Sequence, residues 1–445
     1  MTNCFARPRL PYGGLFVFVL TLASHVSAGD WPQWRGPEGT GVSRERNLPI
    51  NWNSERGILW KTEIPEWGDS TPAIWGDAIF ITSQHDDKLL LLRLNKADGK
   101  IVWTKTVGAS SVKRAPIKAK SAEERREQKF HDKQNMASPS PVTNGKVVIV
   151  HFGNGELAAY DFDGHQLWHR NLQEDYGNYT VWWGHANSPV IFGKNVISVC
   201  MQDSLADISK PPVESYIVAH DLLSGRERWK TVRTTKANSE ECDAYTTPLI
   251  TEVEGQPQMI VMGGNQVDGY DPASGKQLWY LPGIKGGRTV TSPTVADGLL
   301  YVTQGKGGPL LAIKLGGTDE LTRRDIVWKY DQGTPDSSTP VVWEDHLFAV
   351  TDGGIARAFD AHSGRSDWVP PLRLKGDYKA SPIAAEGRIY FLNTHGLCTV
   401  VAAGSHPEKL AENEIDDETI ASPAISDGRI YFRGRKALWC VGRDF

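Results

Sequence analysis

The sequence contains few cysteines, and none of them stands in a reactive or metal-binding spacing. Its 445 residues include five, and no two are adjacent or form a C-x-x-C or C-x-x-C-H motif. Cys200, Cys242, Cys398 and Cys440 lie in strand-like contexts such as ISVCM and ALWCV, where a free cysteine is an ordinary small hydrophobic residue. An even number of cysteines in an oxidising compartment permits disulfides, but the pattern indicates no particular pairing.

Charge of one sign and long apolar runs are also scarce. The formal net charge is -4, which gives no global attraction to nucleic acid or to an anionic membrane. The apolar run at 13–23 follows Arg7 and Arg9 and precedes an A-x-A-like end at Ala28, the pattern of a cleaved secretory signal. The run is far shorter than the ~20 residues of a spanning helix, which argues against an uncleaved anchor. We expect residues 1–28 to be a signal peptide that sends the chain to the periplasm or outside the cell, with no transmembrane segment left.

Familiar catalytic motifs are missing as well. The sequence has no H-E-x-x-H motif, no nucleophile elbow and no phosphate-binding loop. His131, His185, His220 and His395 are isolated, without the spacing of metal ligands. A lone histidine is more often a hydrogen-bonded loop residue than a ligand, so these residues predict no metal site. We predict no catalytic residue.

Glycine and tryptophan, by contrast, are abundant, with 44 and 16 residues. Together they favour tight turns and aromatic-packed sheets over helices. The stretch DPASGKQLW at 271–279 recurs as DLLSGRERW at 221–229 and DAHSGRSDW at 360–368. NKADGKIVW at 95–103 and DFDGHQLW at 161–168 are looser copies. One turn repeated five times, each time ending in Trp, indicates an internal repeat.

A second motif precedes each such turn. It is a Ser/Thr-Pro pair, a short apolar run, a tight turn and a β-rich run. The eight copies align at Thr71, Ser140, Ser188, Thr247, Ser292, Thr339, Ser381 and Ser422. A period of roughly 40–50 residues with four strand signals per unit is the signature of a β-propeller.

The repeat unit also predicts how the ring closes. Each unit gives four strands, and the last strand carries a Trp that we expect to pack between neighbouring blades. The final copy ends one strand short, whereas GILWKTEI at 57–64 is a strand without a Ser/Thr-Pro unit. We therefore predict an all-β fold: an eight-bladed β-propeller of four-stranded antiparallel blades over 57–445, closed by an N-terminal strand. An N-terminal extension at 29–56 precedes it, and an insertion occupies 108–137.

The recurrent SP-x-V-x-x-G-x-x-Y and D-x-x-S/T-G-K-x-x-W patterns resemble those of the PQQ-repeat family of quinoprotein-dehydrogenase-like and BamB-like eight-bladed propellers. The resemblance covers nearly the whole chain. The opening WPQWRGPEGTGVS at 31–43 is similar to that of exported bacterial PQQ-repeat proteins. The resemblance implies the fold more specifically than the function, because functional residues of propellers lie in loops.

Three functions are compatible with this resemblance. Quinoprotein dehydrogenases carry an adjacent Cys-Cys pair beside pyrroloquinoline quinone (PQQ), a calcium ion on Glu, Asn and Asp oxygens, and an Asp base. This chain lacks the cysteine pair. Asp69, Asp243, Asp336 and Asp377 offer oxygen ligands for calcium, although Asp at loop tips more often makes turns. The other two functions are a BamB-like scaffold without chemistry and a different enzyme built on propeller loops. We favour a non-catalytic, monomeric scaffold that binds an envelope protein or glycan and uses neither a cofactor nor nucleic acid.

The topology predicts where binding occurs. Loops before each first strand, and between the second and third strands, lie on one face, and the long segments 108–137, 176–187 and 202–215 all fall there. The predicted ligand-binding residues of that face are Asp69, Tyr179, Trp182, Trp183, His185, Asn187, Asp243, Tyr245, Arg288, Asp336, Asp377, Tyr378 and Lys379. Aromatic rings beside charges on a concave surface suit a sugar, a peptide or a flat small molecule. The alternative is that Trp182 and Trp183 merely plug the funnel beneath the insertion.

Overall fold

The computed structural model describes the following residues: Met1, 29–110, 130–131, 133–305 and 307–443. Most of the predicted signal peptide and residues 111–129 of the insertion lie outside this set. Within the described ranges, no helix combines the length and the apolar character needed to cross a membrane.

Eight sheets follow one another along the chain, and each is one blade. The first strand, β1 (Ile58–Glu63), belongs to the last blade. Blade 1 consists of β2 (Ala73–Trp75), β3 (Ala78–His85), β4 (Lys88–Asn95) and β5 (Ile101–Ala109). Blade 2 consists of β6 (Val142–Thr143), β7 (Val147–His151), β8 (Glu156–Asp161) and β9 (Gln166–Asn171). Blade 3 consists of β10 (Val190–Phe192), β11 (Asn195–Cys200), β12 (Ser215–Asp221) and β13 (Glu227–Arg233). Blade 4 begins with β14 (Leu249–Val253), β15 (Gln256–Gly263), β16 (Gln266–Tyr270) and β17 (Gln277–Pro282).

The second half of the ring repeats the pattern. Blade 5 consists of β18 (Thr294–Ala296), β19 (Leu299–Thr303), β20 (Leu310–Lys314) and β22 (Ile326–Tyr330). Blade 6 consists of β23 (Val341–Trp343), β24 (His346–Val350), β25 (Ile355–Asp360) and β26 (Leu372–Arg373). Blade 7 consists of β27 (Ile383–Ala385), β28 (Arg388–Leu392), β29 (Leu397–Ala402) and β30 (Lys409–Glu414). Blade 8 consists of β31 (Ala424–Ser426), β32 (Arg429–Arg433), β33 (Ala437–Val441) and β1. The predicted eight-bladed architecture is confirmed.

Burial follows position within the blade. The second strands are continuous apolar runs, such as VVIVH in β7, and are buried on both faces between neighbouring blades. The outer strands alternate partly buried and exposed residues, as β1 does along ILWKTE. A strand with two packed faces needs apolar residues throughout, whereas an outer strand leaves one side to solvent. The core therefore consists of the interfaces between blades.

The ring is closed as predicted by pairing of the two ends of the propeller. β1 runs antiparallel to β33, with Trp60 opposite Cys440 and Thr62 opposite Leu438. This pairing removes the free edge that β33 would otherwise expose.

The repeated Trp residues pack between blades, which confirms the interpretation of the turn repeat. The indole N–H groups of Trp60, Trp103 and Trp168 donate to turn carbonyls of the following blade, at 3.2, 3.0 and 3.0 Å. The ring of Trp168 covers Gly225, where an added Cβ would lie 2.6 Å from the indole and φ is +68°. The glycine of the turn is therefore required by both its backbone conformation and its close neighbour.

The Ser/Thr-Pro residues form a closed ring of hydrogen bonds around the propeller axis, here called the hydroxyl ring. Seven backbone amides donate to the hydroxyl of the next blade, at 2.8 to 3.4 Å: Thr71 to Ser140, Ser140 to Ser188, Ser188 to Thr247, Thr247 to Ser292, Ser292 to Thr339, Thr339 to Ser381, and Ser381 to Ser422. The hydroxyl of Thr71 donates to the Ser422 carbonyl at 3.0 Å and completes the circle. The proline that follows each residue brings no N–H of its own into this crowded centre.

Small departures from the repeat occur between blades. Blade 4 gains a fifth, parallel strand, β21 (Asp319–Glu320), which pairs with β17. A short helix, α1 (Leu172–Tyr176), follows β9, and 3₁₀ helices occupy Ser239–Cys242 and Arg323–Asp325. The four cysteines of the described ranges are buried free thiols.

Candidate functional site

The N-terminal extension closes the channel of the propeller from the face that carries the turns, called the turn face. Trp31 exchanges backbone hydrogen bonds with Ile74 of β2 at 2.9 and 2.8 Å, and Val42 pairs with Ala384 of β27. The segment thus crosses from blade 1 to blade 7. It inserts Trp34 and Arg35 at the centre, and this central part is called the plug.

Arg35 is a cation buried at the level of the hydroxyl ring. Its side chain is 1% exposed and donates to the carbonyls of Thr339 at 3.1 Å, Pro340 at 2.7 Å, and Thr40. Burial lowers the pKa of Arg35 to about 9, so the guanidinium stays charged at neutral pH. The plug therefore places a positive charge beneath the centre of the propeller.

A cavity of about 230 Å³, called the axial cavity, lies above the plug on the opposite face, called the loop face. Each blade contributes to it through the segment before its first strand. The residues of these segments are Asp69, His131, Lys133, Gln134, Ser138, Trp183, Ala186, Tyr245, Arg288, Val290, Ser337, Lys379, Ile420 and Ala421. Trp34 and five members of the hydroxyl ring complete the lining.

Five of the predicted site residues line this cavity: Asp69, Trp183, Tyr245, Arg288 and Lys379. The backbone N–H of Trp183 donates to the Tyr245 hydroxyl at 3.1 Å, which ties the blade 3 loop to blade 4. The Trp183 carbonyl accepts from the backbone N–H of His131 at 3.3 Å, and the two rings meet edge-on with centroids 5.0 Å apart. Trp183 therefore packs against the described end of the insertion and also lines the cavity.

Two basic residues of the lining are held in ion pairs. Arg288 lies 3.2 Å from an oxygen of the predicted residue Asp336. The Lys379 ammonium contacts Asp352 and donates to the Ser337 hydroxyl at 3.3 Å. These pairs fix the two cations at the cavity wall. A second, lateral cavity of about 500 Å³ adjoins on the other side of Lys379, and the predicted residue Asp377 lines it.

Other predicted residues lie behind the cavity wall. Asp243 is 0% exposed and accepts from the backbone N–H of Trp182 at 2.8 Å, and burial raises its pKa well above the usual range. Asn187 donates to the Thr246 carbonyl at 2.8 Å. Tyr378 is fully buried in the core between blades 6 and 7. These side chains hold the loops and do not line the axial cavity.

Tyr179 and His185 belong to a buried cluster between blades 2 and 3. The two rings stack with centroids 5.0 Å apart. His185 Nε2 lies 3.2 Å from His151 Nδ1, and His151 Nε2 lies 3.3 Å from the Tyr179 hydroxyl. Burial lowers the pKa of His185 to about 3, so the imidazole is neutral at neutral pH. The cluster is structural and also lies outside the lining.

Sequence reasoning missed several lining residues. Trp34 belongs to the extension, which has no repeat to align. His131, Lys133 and Gln134 stand at the end of the insertion, although their place just before the first strand of blade 2 is the same as that of the predicted residues. Their position just before the first strand of a blade could therefore have predicted that His131, Lys133 and Gln134 line the cavity.

The comparisons with known proteins identify the family. The family model described as outer membrane protein assembly factor BamB matches residues 37–208 and 213–444. The chain belongs to this family. No curated protein matches the sequence significantly.

Solved structures similar to this BamB-family chain include alcohol dehydrogenases and a BamB. The quinohemoprotein alcohol dehydrogenase from Comamonas testosteroni has a TM-score of 0.65 and 12% identity, over 94% of this chain and 81% of that one. BamB from Moraxella catarrhalis has a TM-score of 0.58 and 14% identity, over 87% and 97%. The quinohemoprotein alcohol dehydrogenase ADHIIG from Pseudomonas putida HK5 has a TM-score of 0.62 and 12% identity, over 92% and 76%. At these identities the likeness concerns the fold alone.

The axial cavity does not fit a calcium-bound quinone. Within the described ranges, side chains with the spacing of metal ligands gather in two largely exposed groups on the turn face: Asp161, Asp163 and His165, and Asp297, Asp345 and His362. Among the described residues that line the axial cavity, Asp69 is the one carboxylate, and Asp336 beside the cavity already pairs with Arg288. Calcium takes six to eight oxygen ligands, usually with several carboxylates. The donor set of the cavity is therefore too poor in acid groups for that ion.

Proposed function

We propose that this BamB-family chain is an exported, monomeric, non-catalytic scaffold whose loop face binds a protein or glycan of the cell envelope. One observation carries the proposal. The axial cavity combines aromatic and polar side chains. Burial raises the pKa of its lining residue Tyr245, so that phenol stays protonated, whereas Asp243 and His185, whose pKa values are also shifted by burial, lie outside the lining. Groups poised for proton transfer belong in the site of an enzyme.

Three serine hydroxyls of the cavity are tied into the hydroxyl ring. Ser140, Ser188 and Ser381 each accept a backbone N–H from the neighbouring blade, so their oxygens are committed to the hydroxyl ring. An activated serine needs a general base within about 2.6–3.2 Å. The lining hydroxyl of Ser337 donates to Asp352 at 2.8 Å, but that carboxylate also pairs with the Lys379 ammonium. The nearest lining imidazole, His131, accepts at Nδ1 from the backbone N–H of Lys133 at 3.1 Å.

The same cavity is well built for binding. Trp183 and Trp34 supply apolar surface, and Gln134 and Ser138 supply hydrogen-bonding groups. All stand on segments anchored by a closed ring of blades, so little side-chain and loop freedom is lost when a ligand binds.

Sedimentation of the mature chain, residues 29–445, with isolated envelope fractions tests this proposal. We expect saturable binding that Trp183→Ala abolishes and Lys276→Met, in an exposed turn on the turn face, leaves unchanged. The parallel assay is dye-linked oxidation of alcohols and sugars with added PQQ and calcium, where we expect no turnover above background. Binding that is indifferent to Trp183→Ala, or saturable PQQ-dependent turnover, would contradict the proposal.

A further inference from the structure

The size of the axial cavity restricts what it can hold. Its volume of about 230 Å³ is smaller than the ~300–1,000 Å³ of sites for drug-sized molecules. A single six-membered ring with its substituents suits such a space, whereas an extended chain would have to leave through the mouth of the cavity. The ligand group that enters the cavity is therefore one compact ring.

The charge around the cavity favours an anion. Arg288 and Lys379 are compensated by Asp336 and Asp352. The basic groups left over are Lys133, which has no ion pair within the described ranges, and Arg35 in the plug, which is surrounded by carbonyls.

Most of the acidic groups near the cavity face a cation. Asp69 lines it and interacts electrostatically with the buried Arg433. On the lateral side, Glu418 lies 3.0 Å from Arg435. Asp377 lines the lateral cavity together with Lys133 and offsets part of its charge, so the net positive excess comes from the buried Arg35. An excess of positive charge around a half-enclosed, low-dielectric space attracts a carboxylate more strongly than the same charge would in open water.

We propose that the axial cavity binds the terminal ring of an acidic sugar, a uronic acid of an envelope glycan. The carboxylate lies toward Lys133 and Arg288, and the apolar face of the sugar ring packs on Trp183. Gln134, Ser138 and Asp69 supply partners for the ring hydroxyls. This inference rests on the proposed binding function and narrows the partner from protein or glycan to glycan.

An acidic peptide is disfavoured by the backbone at the bottom of the cavity. Peptide carboxylates are commonly captured by free main-chain amides, and extended peptides by a free strand edge. Here the amides of Ser140, Ser188 and Thr247 already donate within the hydroxyl ring. The groups left to recognise a ligand are therefore side chains. Polar side chains suit a sugar, because its many hydroxyls both donate and accept hydrogen bonds.

Isothermal titration of the mature chain with trigalacturonic acid tests the inference. The matched control ligand is the fully methyl-esterified trisaccharide, which has the same rings without the charges. We expect the acid to bind at least tenfold more tightly than the ester. Lys133→Met should weaken binding of the acid three- to tenfold without changing binding of the ester, as loss of one exposed charge-assisted contact implies. Lys276→Met, the same replacement on the turn face, should change neither.

The aromatic contact is tested separately. Trp183→Ala should abolish binding of the acid, and Trp183→Phe should retain part of it. If the alanine variant melts at a much lower temperature, its loss of binding is not informative. The Lys133→Met variant then tests the contribution of the charge to binding, and the Trp183→Phe variant tests the contribution of the aromatic ring. Equal affinity for acid and ester would overturn the inference. So would tighter binding of hexaglutamate, which would indicate an acidic peptide, or micromolar binding of free PQQ at the same site.

Failure of this inference is distinguishable from failure of the proposed function. If no trisaccharide binds at millimolar concentration while envelope fractions still bind in a Trp183-dependent manner, the acidic sugar is wrong and the scaffold stands. If envelope fractions do not bind either, both are wrong.

Discussion

Opening the ring should cost an amount of free energy comparable to the whole folding free energy of the protein. Deleting residues 29–64 removes the closing strand together with four buried apolar side chains: Trp31, Leu48, Trp52 and Ile64. Each large-to-small change in a core costs about 2–5 kcal/mol, so the set costs roughly 8–20 kcal/mol. Native domains are stable by only about 5–15 kcal/mol. We therefore expect the deletion variant to lose cooperative unfolding.

A single substitution within the same segment gives a graded version of this test. Trp52 is 4% exposed and packs against Phe432 with ring centroids 5.6 Å apart. Trp52→Ala should cost about 4 kcal/mol. With an unfolding entropy near 2.1 cal/mol/K per residue over about 400 residues, the Tm falls by about 5 °C. Leu59→Ala, at a position 40% exposed on β1, is the control and should shift the Tm by less than about 1 °C.

Thermal melts followed by circular dichroism, on the mature chain and these variants, measure both effects. If the 29–64 deletion melts cooperatively within a few degrees of the mature chain, the ring does not depend on β1 and the account of closure is refuted.

Three further predictions concern the centre of the ring and the buried imidazoles. Arg35→Met should lower stability by about 3 kcal/mol, because the carbonyls that the guanidinium satisfies lose their donor; an unchanged Tm would show that the plug is not needed. Ser381→Ala leaves the Thr339 amide without its acceptor at 3.0 Å and should cost about 1–3 kcal/mol, whereas Ser274→Ala, in an exposed turn, should cost little. The pKa of His185 is about 3 when folded and near 6.5 when unfolded, so its contribution to stability is present above pH ~6.5 and is lost as the pH falls toward 3. The Tm should therefore fall as the pH is lowered from 6.5 to 4, and it should fall less in His185→Gln. If Tm depends on pH in the same way in both proteins, a group other than His185 causes the acid sensitivity.

The fold was predictable because the repeat encodes it many times. Eight Ser/Thr-Pro units and the recurring Trp turn each carry the same local information, and the orphan strand at 57–64 had one place to pair. The plug was not predictable, because Trp34 and Arg35 occur once and take their positions from contacts with distant blades. Their sequence context, WPQWRG, carries no period from which a location follows.

The candidate site was predictable only to the level of loops. Position before a first strand placed Asp69, Arg288 and Lys379 at the cavity, but it does not say which way each side chain points. Tyr378 and Lys379 are neighbours, yet Tyr378 is in the core and Lys379 lines the cavity, because consecutive residues of an extended segment alternate sides. His185 lies in the core, where it contacts His151 of the adjacent blade. No pattern in the sequence indicates that these two histidines are partners.

Hydrogen–deuterium exchange of the mature chain, with and without a saturating envelope fraction, tests the central claim most directly. If the loop face is the binding surface, protection should increase in the segments 133–138, 182–188 and 377–381, each of which contributes side chains to the lining of the axial cavity. The turns at 97–99, 222–225 and 273–276 on the opposite face should exchange as before. Protection confined to those turns, or no change on either face, would contradict the account.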